Sequence, residues 1–214
     1  QAVLFDMDGL LVDSEPLWFE VESAVMARLG GTWSEADQRA LIGGSLEHSL
    51  AYLLSRAVRP ADRADLARWM VDGMVELLRT RPLPLLPGAG RLLAEVAAAG
   101  IPYALVTSSE RPVMDAVLAH IDVPFPVTVC SDDVSNGKPD PEPYRLATAR
   151  LGADPRRSVA LEDSPNGVAS AESAGCQVAV VPSLVPIPPG PGRLVVGSLQ
   201  ELSLNELRGL VAVG

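Results

Sequence analysis

Asp6 and Asp8 stand two residues apart at the end of an apolar run, Val3-Leu4-Phe5, with Met7 between them and Gly9 directly after. In an extended chain residues i and i+2 project to the same side, so the two carboxylates would share one small volume and repel each other. A divalent cation removes that repulsion. Gly9 suits a turn with positive φ, which lets the backbone leave the strand close to a ligand. An ordinary Asp-rich turn is the plainer alternative for the heptad taken by itself.

Three further segments carry related chemistry. Thr107-Ser108-Ser109 closes an apolar run from Tyr103, Asn136-Gly137-Lys138-Pro139 follows the run from Val127, and Glu162-Asp163-Ser164 closes the run from Ser158. Ligands of open α/β sheets bind beyond the carboxyl ends of the strands, so these segments are expected together. Acids gathered with one lysine and small hydroxyl residues suit a cation and a phosphate bound side by side. Hard oxygen ligands hold Mg²⁺, while lysine and neutral donors hold phosphoryl oxygens.

The elements that would position these residues fall into two patterns. Four short apolar runs, Tyr103–Thr107, Val127–Cys130, Ser158–Leu161 and Gln177–Val181, alternate after residue 88 with helical stretches over Arg91–Ala99, Val113–His120, Glu142–Leu151 and Gly167–Ala174, and Val3–Phe5 makes a fifth run. That alternation predicts a parallel α/β sheet, with Leu194–Val196 as a further edge strand. Pro16 to Arg79 is instead helical throughout, in about four helices. Ser14 is placed to cap the first, Ser34 with Asp37 resembles a capping box, and Ser45 precedes a run carrying Leu46, Leu50, Leu53 and Leu54. Leu66, Met70, Met74 and Leu78 mark the fourth. Because one strand precedes this block and the rest follow it, the block reads as an insertion on two linkers, near Asp13–Pro16 and Thr80–Pro87. Two linkers permit a hinged lid.

With 214 residues and 48% hydrophobic content, the chain can bury a core large enough for a domain and an insertion. The net charge of -10 argues against a general nucleic-acid or anionic-membrane surface, and no apolar run approaches membrane-spanning length. The first strand-like run begins at Val3, which leaves no room before it for a signal peptide, and a cytoplasmic home is the expectation. Cys130 and Cys176 lie far apart without paired spacing, so they read as reduced thiols and not as a zinc site or disulfide framework. A monomer is the default expectation.

The run Asp6-Met-Asp8-Gly-Leu-Leu-Val-Asp13-Ser14-Glu15-Pro16, the strand end Val106-Thr107-Ser108-Ser109, the segment Gly137-Lys138-Pro139-Asp140-Pro141-Glu142-Pro143-Tyr144 and the run Leu161-Glu162-Asp163-Ser164-Pro165-Asn166-Gly167 resemble the four ordered motifs of the haloacid-dehalogenase-like hydrolases. The resemblance is to the phosphatase and β-phosphoglucomutase-like branch, and four motifs in order are far more specific than one. It implies a Rossmann-like doubly wound parallel sheet as the core, over residues 1–14 and 82–214, with a helical cap over 15–81.

The resemblance also implies roles. Asp6 would be the nucleophile that takes the phosphoryl group, and Asp8 the acid that protonates the leaving alkoxide and then activates water. Thr107, the backbone donor of Ser108 and Lys138 would hold the phosphate. Mg²⁺ would sit between Asp6, the backbone carbonyl of Asp8 and Asp163, with Glu162 touching it or standing just behind. Trp18, Gly44 and Ser45 fall where substrate specificity is set, although Trp18 in an amphipathic helix reads equally as packing. His48 and His120 read as solvated side chains, Trp33 and Trp69 as packing, and Arg111 as a solvent-facing first-turn residue.

The activity so implied is a Mg²⁺-dependent phosphatase for a small phosphorylated metabolite, such as a sugar phosphate. A phosphomutase built from the same parts is the first alternative, but Leu46 and Trp18 stand near the positions where β-phosphoglucomutases carry a cap Arg and His. A phospho-acceptor or binding module without turnover is the alternative from another class. The presence of Asp8 together with a cap argues for turnover.

Overall fold

The computed structural model describes residues 1–213. Six strands, β1 (Val3–Phe5), β2 (Tyr103–Val106), β3 (Val127–Val129), β4 (Val159–Glu162), β5 (Gln177–Val180) and β6 (Arg193–Val195), form one parallel sheet in the order β3-β2-β1-β4-β5-β6. The chain winds outward from β1 through β2 to β3, then returns to β4 on the other side of β1. This is the doubly wound, Rossmann-like α/β arrangement, and its crevice opens beyond the carboxyl ends of β1 and β4. The strands have their apolar sides on both faces, as a parallel sheet covered by helices requires.

Alternation along the strands divides the core into two layers. Val3 and Phe5 face one side with Leu105, Leu161 and Ala179, and there they meet α5 (Ala89–Ala98), α6 (Arg111–Leu118) and α9 (Leu204–Val213). Leu4 faces the other side with Ala104, Val106, Ala160 and Val178, covered by α7 (Glu142–Leu151) and α8 (Pro165–Ala174). Tyr144 is fully buried in this second layer, which fixes it under the carboxyl end of β4.

Four helices, α1 (Glu15–Arg28), α2 (Glu35–Arg39), α3 (Leu46–Arg56) and α4 (Arg63–Thr80), occupy the chain between β1 and α5. α4 starts where Asp62 Oδ1 accepts the backbone N–H groups of Ala64 and Asp65, at 2.8 and 3.3 Å. Leu66, Met70, Met74 and Leu78 then recur every fourth residue and are buried, each contributing about 1.5–3 kcal/mol of burial free energy. α4 packs along α6, so one apolar cluster runs from the sheet into the helical block.

The two chain crossings between block and sheet are bound to each other. Val12 bridges Leu85 in antiparallel fashion, and the Leu86 N–H donates to Leu11 O at 2.8 Å. Beside them the Arg81 guanidinium pairs with both carboxylate oxygens of Glu20, at 2.6 and 2.8 Å.

Three local expectations change. Ser14 does not cap α1: its own backbone is already helical, and its hydroxyl is used elsewhere. His120 is half-buried, with Nε2 donating to Leu78 O at 2.8 Å, because α4 and α6 meet there. Arg111 does not simply face solvent but forms an ion pair with Asp133 at 2.5 Å. The capping box at Ser34 and Asp37 and the cap at Ser45 are both present. α9 is an addition that the apolar pattern near the carboxyl end did not suggest.

Candidate active site

β1 delivers Asp6 to the crevice. Its N–H donates to Leu161 O of β4 at 3.0 Å, which continues the β1–β4 ladder one residue past the strand and sets the direction of the Asp6 side chain. The chain then turns sharply: Gly9 has φ of 78° and donates its N–H to Val12 O at 2.9 Å. A Cβ at Gly9 would collide with Asp163 Oδ2, so glycine is required both for its conformation and for the close approach.

Lys138 joins the strand ends. Its ammonium donates to Asp6 Oδ1 at 2.5 Å, Glu162 Oε1 at 2.7 Å and Val106 O at 2.9 Å, and the side chain is buried. Burial alone would lower its pKa, but Asp6 and Glu162 hold it above the ordinary lysine value. The Tyr144 hydroxyl donates to the same Glu162 oxygen at 2.5 Å, and the Tyr144 ring lies 5.1 Å beneath the Lys138 ammonium.

Asp6, Glu162 and Asp163 bring carboxylate oxygens within 4.8 Å of one another. One ammonium faces three acids. Burial, opposed by Lys138 and reinforced by Glu162 and Asp163, pushes Asp6 well above the usual carboxylate range. Burial and the Glu162 charge raise Asp163 to about 8, against the Ser183 hydroxyl that donates to its Oδ2 at 2.6 Å. An all-oxygen donor set short of positive charge fits a hard divalent cation such as Mg²⁺. Glu162 is the most occupied member of the set. Its oxygens take Lys138, Tyr144, the Asp163 N–H and the Ser164 hydroxyl, and a Cβ at Gly167 would run into its carboxylate.

Asp8 stands apart from that cluster. Its Oδ1 accepts from the Ser14 hydroxyl at 2.5 Å, and its Oδ2 accepts from Ser109 Oγ at 2.8 Å and Thr107 Oγ1 at 3.3 Å. The two aspartates that begin as neighbours in sequence therefore end in different settings, one beside an ammonium and acids and the other among hydroxyls. Thr107 also accepts the Ser109 N–H at 3.0 Å, which ties the end of β2 to the same carboxylate.

Asp6, Asp8, Thr107, Ser108, Lys138 and Asp163 line one cavity of about 90 Å³. Its opposite wall comes from the helical block and includes Trp18, Gly44 and Ser45. The fully buried Glu162 lies behind this lining. Across the cleft, Asn166 Nδ2 of α8 donates to Gly43 O at 3.0 Å, and a Cβ at Gly43 would clash with Ser164. Sequence reasoning missed Ser14, Ser109, Tyr144, Asn166, Ser183 and Glu22. Ser109, Tyr144 and Asn166 lie inside the quoted motifs. Ser14 lies inside the first of them, where it offered a helix-start signal, and Glu22 sits among the apolar positions of α1.

The site thus defines the class: a doubly wound hydrolase core whose strand ends present an aspartate pair, a lysine and a second acidic pair. The family of haloacid dehalogenase-like hydrolases matches residues 3–181, and the chain belongs to it. A phosphorylated carbohydrates phosphatase of Thermotoga maritima is 35% identical over 179 residues, covering 83% of this chain and 82% of that protein. Hexitol phosphatase B of Escherichia coli is 34% identical over 212 residues, covering 96% and 93%. Among solved structures, CbbY from Rhodobacter sphaeroides in complex with phosphate superposes with a TM-score of 0.88 at 32% identity, over 96% of this chain and 98% of that one. A mutant of CbbY was solved with xylulose-(1,5)bisphosphate. No helix among the described residues is long and apolar enough to cross a membrane.

Proposed function

We propose that the chain is a Mg²⁺-dependent phosphatase that hydrolyses a small phosphorylated metabolite of the sugar or sugar-alcohol phosphate class, through an aspartyl-phosphate on Asp6. The single observation that carries this reading is the division of labour between the two aspartates. Asp6 lies against Lys138 and the acidic cluster, while Asp8 is held among Ser14, Thr107 and Ser109 on the same cavity.

A carboxylate of Asp6 attacks phosphorus, and the bond to the leaving oxygen breaks. Asp8 gives its proton to that oxygen, so the product leaves as a neutral alcohol. In the second half Asp8 takes a proton from water, which attacks the phosphoryl group, releases inorganic phosphate and restores the Asp6 carboxylate. Lys138 holds the nucleophile in place and balances charge that gathers on the phosphoryl oxygens. Thr107 and the Ser108 N–H are the neutral donors for those oxygens. Asp6, Asp163 and the Asp8 backbone carbonyl would hold Mg²⁺, with Glu162 behind them fixing Lys138. When bound, the ion offsets repulsion between an anionic nucleophile and an anionic substrate.

The division into a core over 1–14 and 82–214 and a cap over 15–81 belongs to the same reading, since the cap supplies the wall that excludes water and selects the substrate. Trp18, Gly44 and Ser45 are proposed as specificity residues. Two buried free thiols, Cys130 and Cys176, fit a reducing, cytoplasmic setting. Phosphate release from an aryl phosphate is the test, run with Mg²⁺, with chelator and with Asp6→Asn. Metal-dependent release that vanishes in Asp6→Asn is expected, and no metal-dependent release from the wild type would sink the proposal.

A further inference from the structure

Glu22 is a carboxyl group in an unusual place. It lies on α1, 4% exposed, and lines the same cavity as Asp6 and Asp8 from the opposite wall. Its Oε2 is fixed by the Trp33 indole N–H at 3.0 Å, and Trp33 is in turn held edge-on against Tyr52, with ring centroids 5.8 Å apart. Its Oε1 has no protein partner. Every side-chain oxygen sealed from solvent among the described residues has one, so Oε1 opens into the cavity.

The make-up of the wall sharpens this. Glu15 and Glu110 line the cavity as well, and Gln38 lies against Glu15, donating from Nε2 to Glu15 Oε2 at 3.3 Å. The sole cationic side chain in the lining is Lys138, already shared between Asp6 and Glu162. One phosphate can be balanced at the Lys138 end. A second phosphate at the Glu22 end would meet no cation.

We propose that Glu22 forms the distal subsite: its free oxygen hydrogen-bonds hydroxyls on the neutral tail of a phosphate monoester, and the absence of a cation in the wall around it turns away substrates with a second phosphate. This rests on the phosphatase reading above. It sets the chain apart from a protein that accommodates a bisphosphate, and it disfavours a phosphomutase cycle, which must hold a bisphosphate between its two half-reactions. A polar tail that satisfies a buried acceptor is recognised strongly, because an analogue lacking the donor leaves that acceptor unpaired.

The test compares kcat/KM with Mg²⁺ for sorbitol 6-phosphate, p-nitrophenyl phosphate, fructose 6-phosphate and fructose 1,6-bisphosphate, in the wild type and in Glu22→Gln, Glu22→Ala and Trp33→Phe. In the wild type the fructose monophosphate is expected to exceed the bisphosphate by about 100-fold. In Glu22→Ala the ratio of sorbitol 6-phosphate to p-nitrophenyl phosphate should fall by about tenfold or more, chiefly through KM. Trp33→Phe should shift that ratio the same way by less, since it frees Glu22 without removing it, and Glu22→Gln should keep more of the polyol preference than Glu22→Ala. Equal turnover of mono- and bisphosphate, or a sorbitol-to-aryl ratio in Glu22→Ala equal to that of the wild type, overturns the subsite alone. Failure of the wild type to release phosphate from any ester, the aryl phosphate included, overturns the phosphatase reading and the subsite with it.

Discussion

The side-chain amide of Asn166 reaches across the cleft to the carbonyl of Gly43, at 3.0 Å, and joins the first turn of α8 to the loop between α2 and α3. It is a direct polar tie between the helical block and the segment that carries Asp163. Asn166→Ala should weaken closure of the block over the site. The expected outcome is a rise in KM of about three- to tenfold with a smaller change in kcat, and faster amide hydrogen exchange over residues 41–45.

Lys138 compensates two buried carboxylates at once. Removing it as Lys138→Ala leaves Asp6 and Glu162 without their cation, which costs about 3–5 kcal/mol where a buried pair is broken. Mg²⁺ should restore part of that stability, and activity should fall by at least about a thousandfold. Urea unfolding with and without the metal, beside phosphate-release kinetics, measures both.

Asp8→Asn keeps the shape but cannot exchange a proton. Its kcat should drop by about 10²–10⁴-fold. Phosphorylated Asp6 should accumulate with an activated aryl ester, whose leaving group needs no protonation, and rapid-quench labelling would detect it. Absence of both effects would remove Asp8 from its role.

Burial, partly offset by the Trp33 hydrogen bond, raises Glu22 from an ordinary value of 4.5 to about 8. The folded protein then keeps a proton that the unfolded chain gives up between those values. Its contribution to stability is fully present below pH 4.5 and is lost as pH rises towards 8, with a slope of at most about 1.4 kcal/mol per pH unit. Glu15, raised to about 7 by burial and the charges of Asp8 and Asp13, acts in the same direction. Urea unfolding from pH 5 to 8 should show a shallower decline for Glu22→Gln than for the wild type.

Gly9→Ala should abolish activity and lower stability, since it combines positive φ with a collision at Asp163. The strain alone amounts to about 1–2 kcal/mol, and the clash adds to it. Thermal unfolding and phosphate release test the two together.

Much of this arrangement was legible in residue order. Short apolar runs ending in Asp6, Thr107 and Glu162-Asp163 announced a parallel sheet with its chemistry at one edge, because strand ends collect wherever a doubly wound sheet changes direction. The four-residue spacing of Leu66, Met70, Met74 and Leu78 announced α4. What stayed hidden depends on which way a side chain turns. Ser14 read as a helix cap because its neighbours begin a helix, yet its hydroxyl goes to Asp8. Glu22 follows buried Val21 in α1, and nothing in the residue order says that Trp33, eleven positions on, will hold it inward. Arg111 and Asp133 meet only because α6 and the segment after β3 lie side by side.

Ser14, the first residue of the segment that departs for α1, holds one oxygen of Asp8, while Val12, two residues earlier, bridges both Asp8 and Leu85. Ser14 is the last residue before α1, so the side chain that steadies Asp8 stands at the root of the helical block. The anchor of the block and the setting of Asp8 are therefore one piece of chain. A change at Ser14 would reach two places in one stroke, the seat of an aspartate and the root from which the helical block grows.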